Sequence, residues 1–321
     1  MLQALFPRAT QKTKDALRFY EQNYSTIRQW ILQPGKKVIL RASQPSVCRF
    51  CCLRAPEVTF KSEAHAIPEC TGNKSLITGY EWDDCNQFFG VGIENDFGNW
   101  SKAQRALSGV RGKKNRVPAL KEESSSRQWR LEHDAAGLKL THDKGNPIVV
   151  VNETTKQITL TVPCDPYTPV AVLKAFAKMA LSVLPEEELR NFQEAIAWIR
   201  NADHQADPVK LFAFPVLYTF VPGNNPFGTA VMLLRRRTDK LPVPYLSFVL
   251  SYGNEMFQTI LPSPRRDAAI GGQKIKFPYF QTAFELDCNL KQVAPMQREP
   301  IDLTGCSLVK GETIRTIMRY E

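Results

Sequence analysis

Five of the eight cysteines, Cys48, Cys51, Cys52, Cys70 and Cys85, fall between residues 48 and 85. No other feature constrains the fold as strongly, because in a reducing compartment crowded thiols argue for metal ligation. Cys48-x-x-Cys51 has the spacing of a tight turn that offers two thiolates to one zinc. Cys85, in "GYEWDDCNQFFG" (79–90), offers a third, but the residue three before it is Trp82, where a second C-x-x-C would place the fourth. Three completions are open: Cys70 swings in, Asp83 or Asp84 ligates through oxygen, or Trp82 fills the space apolarly and no metal binds. Cys52 diverges from its neighbour and reads as a core cysteine, as do the dispersed Cys164, Cys288 and Cys306.

Between the thiols lies "TFKSEAHAIPE". Extended backbone there puts Glu63 and His65 on the same side. A carboxylate and an imidazole sharing a face can bind a divalent ion and take a proton from water, and His65 is one of only four histidines. Asn73, after Gly72, can fix a loop through side-chain hydrogen bonds to the backbone. Beyond Cys85, Phe88, Phe89, Ile93 and Phe97 recur at helical spacing with Glu94 and Asp96 interleaved, so Asn86 falls in a first helical turn beside the strand of His65.

The remaining sequence predicts an α+β fold with an antiparallel sheet and a helical pair. Residues 10–32 place Ala16, Phe19, Tyr20, Tyr24, Ile27, Trp30 and Ile31 on one helical stripe, ended by Pro34-Gly35. "GLKLTH", "PIVVV" and "QITLTVP" read as strands. Helices follow over 168–183 and 185–201, the second opening on Pro185 and three glutamates. "KLFAFPVLYTFVP", "TAVMLLRRR", "YLSFVLSYG", "MFQTILP" and "KIKFPYFQTAF" read as further strands, with Phe212, Phe214, Tyr218, Phe220, Tyr245, Phe248 and Tyr252 as core. Arg235, Arg236 and Arg237 read as a solvated strand end.

The net charge of +10 is compatible with a polyanionic partner, and most of the excess sits in residues 101–130, which hold nine basic side chains against Glu122 and Glu123. Lys102, Arg105, Arg111, Lys113, Lys114 and Arg116 are the candidate phosphate contacts, with a solvated linker as the alternative reading. Hydrophobic content of 43% and charged content of 23% suit a soluble globular chain. No apolar run reaches the length of a membrane span and the N-terminus has no signal-peptide pattern, so a cytoplasmic protein without membrane contact is expected.

The order C-x-x-C, "EAHAIPE", "GNK" and Cys85-Asn86-x-x-Phe-Gly resembles the HNH endonucleases of the ββα-metal superfamily, in their zinc-containing branch. The resemblance covers about residues 45–100. It implies a small ββα-metal module with a structural Zn²⁺ knuckle, preceded by a helical segment over 1–44 and followed by a basic linker or nucleic-acid clamp over 101–134. Residues 135–321 then form an α+β domain that senses or targets. His65 matches the family's general base, Asn73 the residue that orients it, and Asn86 a ligand of the catalytic Mg²⁺ or Mn²⁺. The family's acidic residue before the histidine is here Ala64, which leaves Glu63 as the nearest substitute. The implied activity is metal-dependent hydrolysis of phosphodiester bonds in DNA, with RNA open. One site cuts one strand, so a double-strand break needs two visits or a homo-oligomer. A second reading keeps the fold for nucleic-acid binding and loses hydrolysis. A third, by analogy with bacterial fusions, makes the chain an anti-phage defence effector whose C-terminal sheet answers to an activating ligand or protein.

Overall fold

The run 10–32 divides at Tyr24. Helix α1 (Gln11–Asn23), capped by the Thr10 hydroxyl, gives way to strand β1 (Tyr24–Leu32). The single helix expected from the sequence is therefore wrong beyond Asn23. "YSTIRQWIL" is rich in β-branched and aromatic residues, and long pairing with a partner strand outweighs a helical stripe that extends only from the preceding helix.

In this computed structural model the described residues are 10–33, 35–41, 46–122, 129–135, 137–143, 145–146, 148–205, 214–223, 228–270, 275–287, 290 and 293–319. Cys288, Phe212 and the start of "KLFAFP", and Glu123 and Arg127 of the basic run lie outside them. After β1 come β2 (Val38–Leu40), β3 (Ala64–His65), β4 (Leu76–Thr78), α2 (Asp83–Val91), α3 (Ile93–Trp100) and α4 (Lys102–Leu107). Then follow β5 (Leu120–Lys121), β6 (Trp129–Asp134), β7 (Gly137–His142), β8 (Val149–Asn152), β9 (Gln157–Pro163), α5 (Pro169–Val183) and α6 (Gln193–Arg200). The chain ends through β10 (Val216–Phe220), β11 (Thr229–Arg236), β12 (Leu246–Tyr252), β13 (Glu255–Ile260), α7 (Pro264–Asp267), α8 (Ala283–Leu286), β14 (Gln297–Ile301) and β15 (Thr313–Arg319).

The expected α+β class holds. A six-stranded antiparallel sheet runs in the order β1-β11-β12-β13-β10-β14, and three small sheets run β15-β9-β8, β2-β4-β3 and β5-β6-β7. Helix α5, with Pro169 in its first turn, is buried along its whole length. Such a helix must lie between layers, since it has no polar face to give to water. Its Phe176 ring meets Phe97 of α3 edge-on at 5.4 Å and Phe257 of β13 at 5.3 Å, so one continuous core links the cysteine segment to the six-stranded sheet.

Other local readings change. Residues 185–201 are not one helix: a 3-10 turn, Glu186–Asn191, precedes α6, and the chain breaks at Phe192. Glu188 in that turn accepts from Arg235 at 2.6 Å and from the Tyr245 hydroxyl at 2.8 Å, contacts that fix the turn against the sheet. "KIKFPYFQTAF" forms no strand among its described residues. Pro278 denies it a ladder donor, Phe277 and Phe280 pack on Tyr20, and a Thr282–Glu285 capping box opens α8. Arg236 is buried and donates to the carbonyls of Val243 and Arg266, so it is a structural residue where a solvated one was expected. The basic run carries packed elements where a solvated linker was one reading: Ala103, Ala106, Leu120, Trp129 and Leu131 share a second core. No helix among the described residues is long and apolar enough to cross a membrane.

Glu255 is a testable oddity of this core. It is 2% exposed, receives a hydrogen bond from Tyr218, and its Oε2 has no partner among the described residues. Burial pushes its pKa up to about 7. A folded pKa above the unfolded value gives stability that is full below pH about 4.5 and lost as pH rises through about 7. Glu255→Gln cannot ionise, so it is expected to flatten the fall in urea midpoint between pH 5 and pH 8 and to stabilise the protein at pH 8. Parallel pH profiles for the two proteins would contradict this account.

Candidate functional site

The three thiols of the sequence argument meet. Sγ atoms of Cys48, Cys51 and Cys85 all lie within 4.8 Å of one another, and Cys48 and Cys85 are buried. The Cys52 N–H closes the turn onto the Cys48 carbonyl at 2.9 Å. Cys52 itself takes a φ of 63°, a left-handed conformation that favours glycine, and its side chain is exposed, not core. The hydrogen bond from Cys85, reinforced by backbone N–H groups of Trp82, Cys51 and Phe50 and opposed by burial, lowers the Cys48 pKa to about 5. The same hydrogen bond and burial raise Cys85, and burial raises Cys51. A turn whose amides point at one sulfur is built for a thiolate.

Trp82 stands beside the trio. Its indole N–H donates to Cys85 Sγ at 2.9 Å. Cys70 does not join the group; it lines a separate cleft, where burial raises its thiol to about 11. Asp83 is spent on the preceding loop, accepting from the Thr59 hydroxyl and, at 2.8 Å, from the Ser62 N–H, which lowers its pKa to about 2.

Arg49, inside the C-x-x-C turn, fastens the knuckle to α5. Its Nη1 donates to the carbonyls of Leu181 at 2.7 Å, Ser182 at 3.2 Å and Leu184 at 2.8 Å, acceptors at the helix C-terminus that lack a full set of partners within the helix. The guanidinium lies 3.8 Å from the centre of the Tyr80 ring, and the Tyr80 hydroxyl also donates to the Ser182 carbonyl.

Strands β3 and β4 are antiparallel, with His65 opposite Ile77, and α2 follows. Asn73 is fully buried in the loop between the strands. Its Nδ2 donates to the carbonyls of Ile67 at 2.7 Å and Leu76 at 3.0 Å, and its Oδ1 accepts from the N–H groups of Ser75 and Leu76. All four bonds are to backbone, so Asn73 sets the loop, as its place in the sequence suggested. His65, Glu69, Asn86, Glu94, Lys102 and Arg105 are among the residues lining one open cleft of about 550 Å³. Burial lowers the His65 pKa, with Glu69, Glu63 and Glu94 opposing, so the imidazole is neutral and able to accept a proton at neutral pH.

No family model, curated protein or solved structure matches the chain. The chemistry therefore rests on geometry.

Glu63 does not line the cleft. Its exposed carboxylate, just before the two-residue strand β3, pairs with Lys37 and still acts electrostatically on His65. Of the basic candidates, Lys113 reaches the cleft from the exposed side, while Lys102 does so paired with Asp165 at 2.6 Å. Arg105 is buried in the wall, donating to Ser101 Oγ at 3.1 Å and the Gly98 carbonyl at 2.6 Å, which makes it a fixed charge and not a swinging contact. Arg111, Lys114 and Arg116 are exposed beyond the rim.

Sequence reading missed the group behind His65. Lys178 of α5 is 1% exposed, 3.1 Å from Glu81 and 2.8 Å from Glu94, and it donates to the His65 carbonyl at 3.3 Å. Against the desolvation of burial, the two carboxylates hold Lys178 charged, while burial raises Glu81 to about 7. The available signal was Lys174 and Lys178, four apart in an otherwise apolar helix, where a lysine must be buried with a partner.

Proposed function

We propose that the protein is a metal-dependent endonuclease that cleaves a phosphodiester backbone in this cleft, with DNA as the substrate. The observation that carries the reading is the convergence of a neutral, partly buried His65 and Asn86 on one open cleft rimmed by Lys102, Lys113 and the fixed Arg105. The oxygen donors of the cleft, the Asn86 amide oxygen and carboxylates, suit Mg²⁺ or Mn²⁺. Outside the knuckle no three His, Cys, Asp or Glu residues converge among the described residues, so such a cation would keep several waters, as Mg²⁺ does.

In this reading His65 takes a proton from the attacking water. Asn73 fixes the loop beyond β3 that orients His65, Asn86 offers its amide oxygen to the cation, and the basic rim seats the phosphates. A divalent cation, when bound, supplies Lewis-acid stabilisation of the leaving oxygen. The Cys48, Cys51 and Cys85 thiolates hold a structural Zn²⁺ with Trp82 as the outer donor to Cys85. That ion ties the first turn of α2, and so Asn86, to the knuckle.

The test is relaxation of supercoiled plasmid by the full chain with Mg²⁺ or Mn²⁺, beside an RNA of comparable length. Nicking should stop with EDTA and fall by about 100-fold or more in His65→Ala. Because His65 acts unprotonated and its pKa is lowered, the rate should rise with pH and reach its plateau at a lower pH than an unperturbed histidine would give. Equal nicking by wild type and His65→Ala would remove the base. Binding of DNA without any nicking would instead favour a nucleic-acid-binding protein.

A further inference from the structure

The residue just before His65 is Ala64, and Glu63, paired with Lys37, does not line the cleft. Three other carboxylates line it. Glu69 pairs one-to-one with Lys74 at 2.8 Å, and Asp165 one-to-one with Lys102 at 2.6 Å. Glu94 differs, since its one ion partner among the described residues, Lys178, is shared with Glu81. Lys178 also donates to the His65 carbonyl at 3.3 Å, so it ties Glu94 to the strand of His65, and Glu81 Oε1 beside it has no hydrogen-bond partner among the described residues. A buried acceptor left without a partner is costly, and a proton or a cation removes that cost.

Asn86 and Gly90 of α2 and Glu94 of α3 all line the cleft, across the break between the two helices at Gly92. Gly90 leaves its own position open: a side chain there would meet nothing within 4 Å. We infer that Glu94 is the carboxylate ligand of the divalent cation at His65 and Asn86, and that Lys178, reaching in from α5, is the positioning residue that holds it. This rests on the nuclease reading above. It also means that residues 45–100 do not contain the whole site.

The experiment measures Mn²⁺ binding to the full chain by electron paramagnetic resonance, and the Mg²⁺ concentration for half-maximal plasmid nicking. Glu94→Gln is expected to weaken Mn²⁺ binding and raise half-saturating Mg²⁺ by about 10-fold or more, with Glu94→Asp intermediate and His65→Ala binding Mn²⁺ as the wild type does. Lys178→Met should raise half-saturating Mg²⁺ more than Lys178→Arg, a difference that a purely structural lysine would not produce. Folded Glu94→Gln with wild-type Mn²⁺ affinity overturns the inference; if Glu94→Gln does not fold, wild-type affinity in Glu94→Asp does so. Should His65→Ala abolish nicking while the Glu94 variants keep wild-type metal dependence, only this inference fails. A wild type that binds no Mn²⁺ and nicks nothing overturns both.

Discussion

Stripping zinc from the knuckle, by prolonged chelation or by Cys48→Ser, is expected to cost the protein its cooperative fold around α2 and α5. Binding free energies of structural zinc reach about 10–16 kcal/mol in small zinc domains, as large as the whole stability of a typical domain. Here the loss would spread. Cys85 is the third residue of α2, next to Asn86, and Arg49 in the turn satisfies three carbonyls at the end of α5. Without an ion, three thiols within 4.8 Å are held by their mutual hydrogen bonds, the Trp82 indole and the backbone N–H groups of the turn alone. Metal analysis should find about one zinc per chain in the wild type and much less in Cys48→Ser, with a large fall in melting temperature and loss of nicking. Cys70→Ser should keep its zinc, because Cys70 lies in the other cleft. Purified protein free of zinc, with a melt that chelation does not move, would make the trio a buried thiol cluster and nothing more.

What was legible in the sequence was local. The C-x-x-C turn, the Asn73 loop and Asn86 at the start of α2 each depend on residues a few positions apart, whose backbone geometry short motifs encode. What stands beside the three thiols was legible only as a question, because nothing in "EWDDC" says whether Trp82 packs beside the sulfur or donates to it. The pairing of Glu63 with Lys37, which leaves Glu63 out of the cleft lining, was hidden for a related reason, since the partner lies 26 positions away. Strand β1 was hidden because its pairing with β11 joins residues some two hundred positions apart. Lys178 was hidden most deeply, since its partners, Glu81 and Glu94, belong to a different segment and only the packed core brings them together.

That hidden ion group should also dominate the stability of the site. Lys178→Met is expected to destabilise the protein by about 3–5 kcal/mol, the usual cost of removing one member of a buried ion pair. Methionine fills most of the volume, and the Phe50 and Phe89 rings that lie 5.9 Å and 5.7 Å from the ammonium would accept it, so packing is not the main loss. The loss is electrostatic. Burial already raises Glu81 to about 7 with Lys178 opposing, and removing the lysine raises it further. A raised folded pKa means stability that is present at low pH and fades as pH climbs through the folded value. The deficit of Lys178→Met should therefore be smaller in urea melts at pH 5.5 than at pH 8. Lys178→Met combined with Glu81→Gln should recover part of the loss at pH 8, a coupling that a double-mutant cycle reads directly. A cost below about 1 kcal/mol, equal at both pH values, is what a solvated surface pair would give. That outcome would take Lys178 out of the core that holds Glu94 in the cleft.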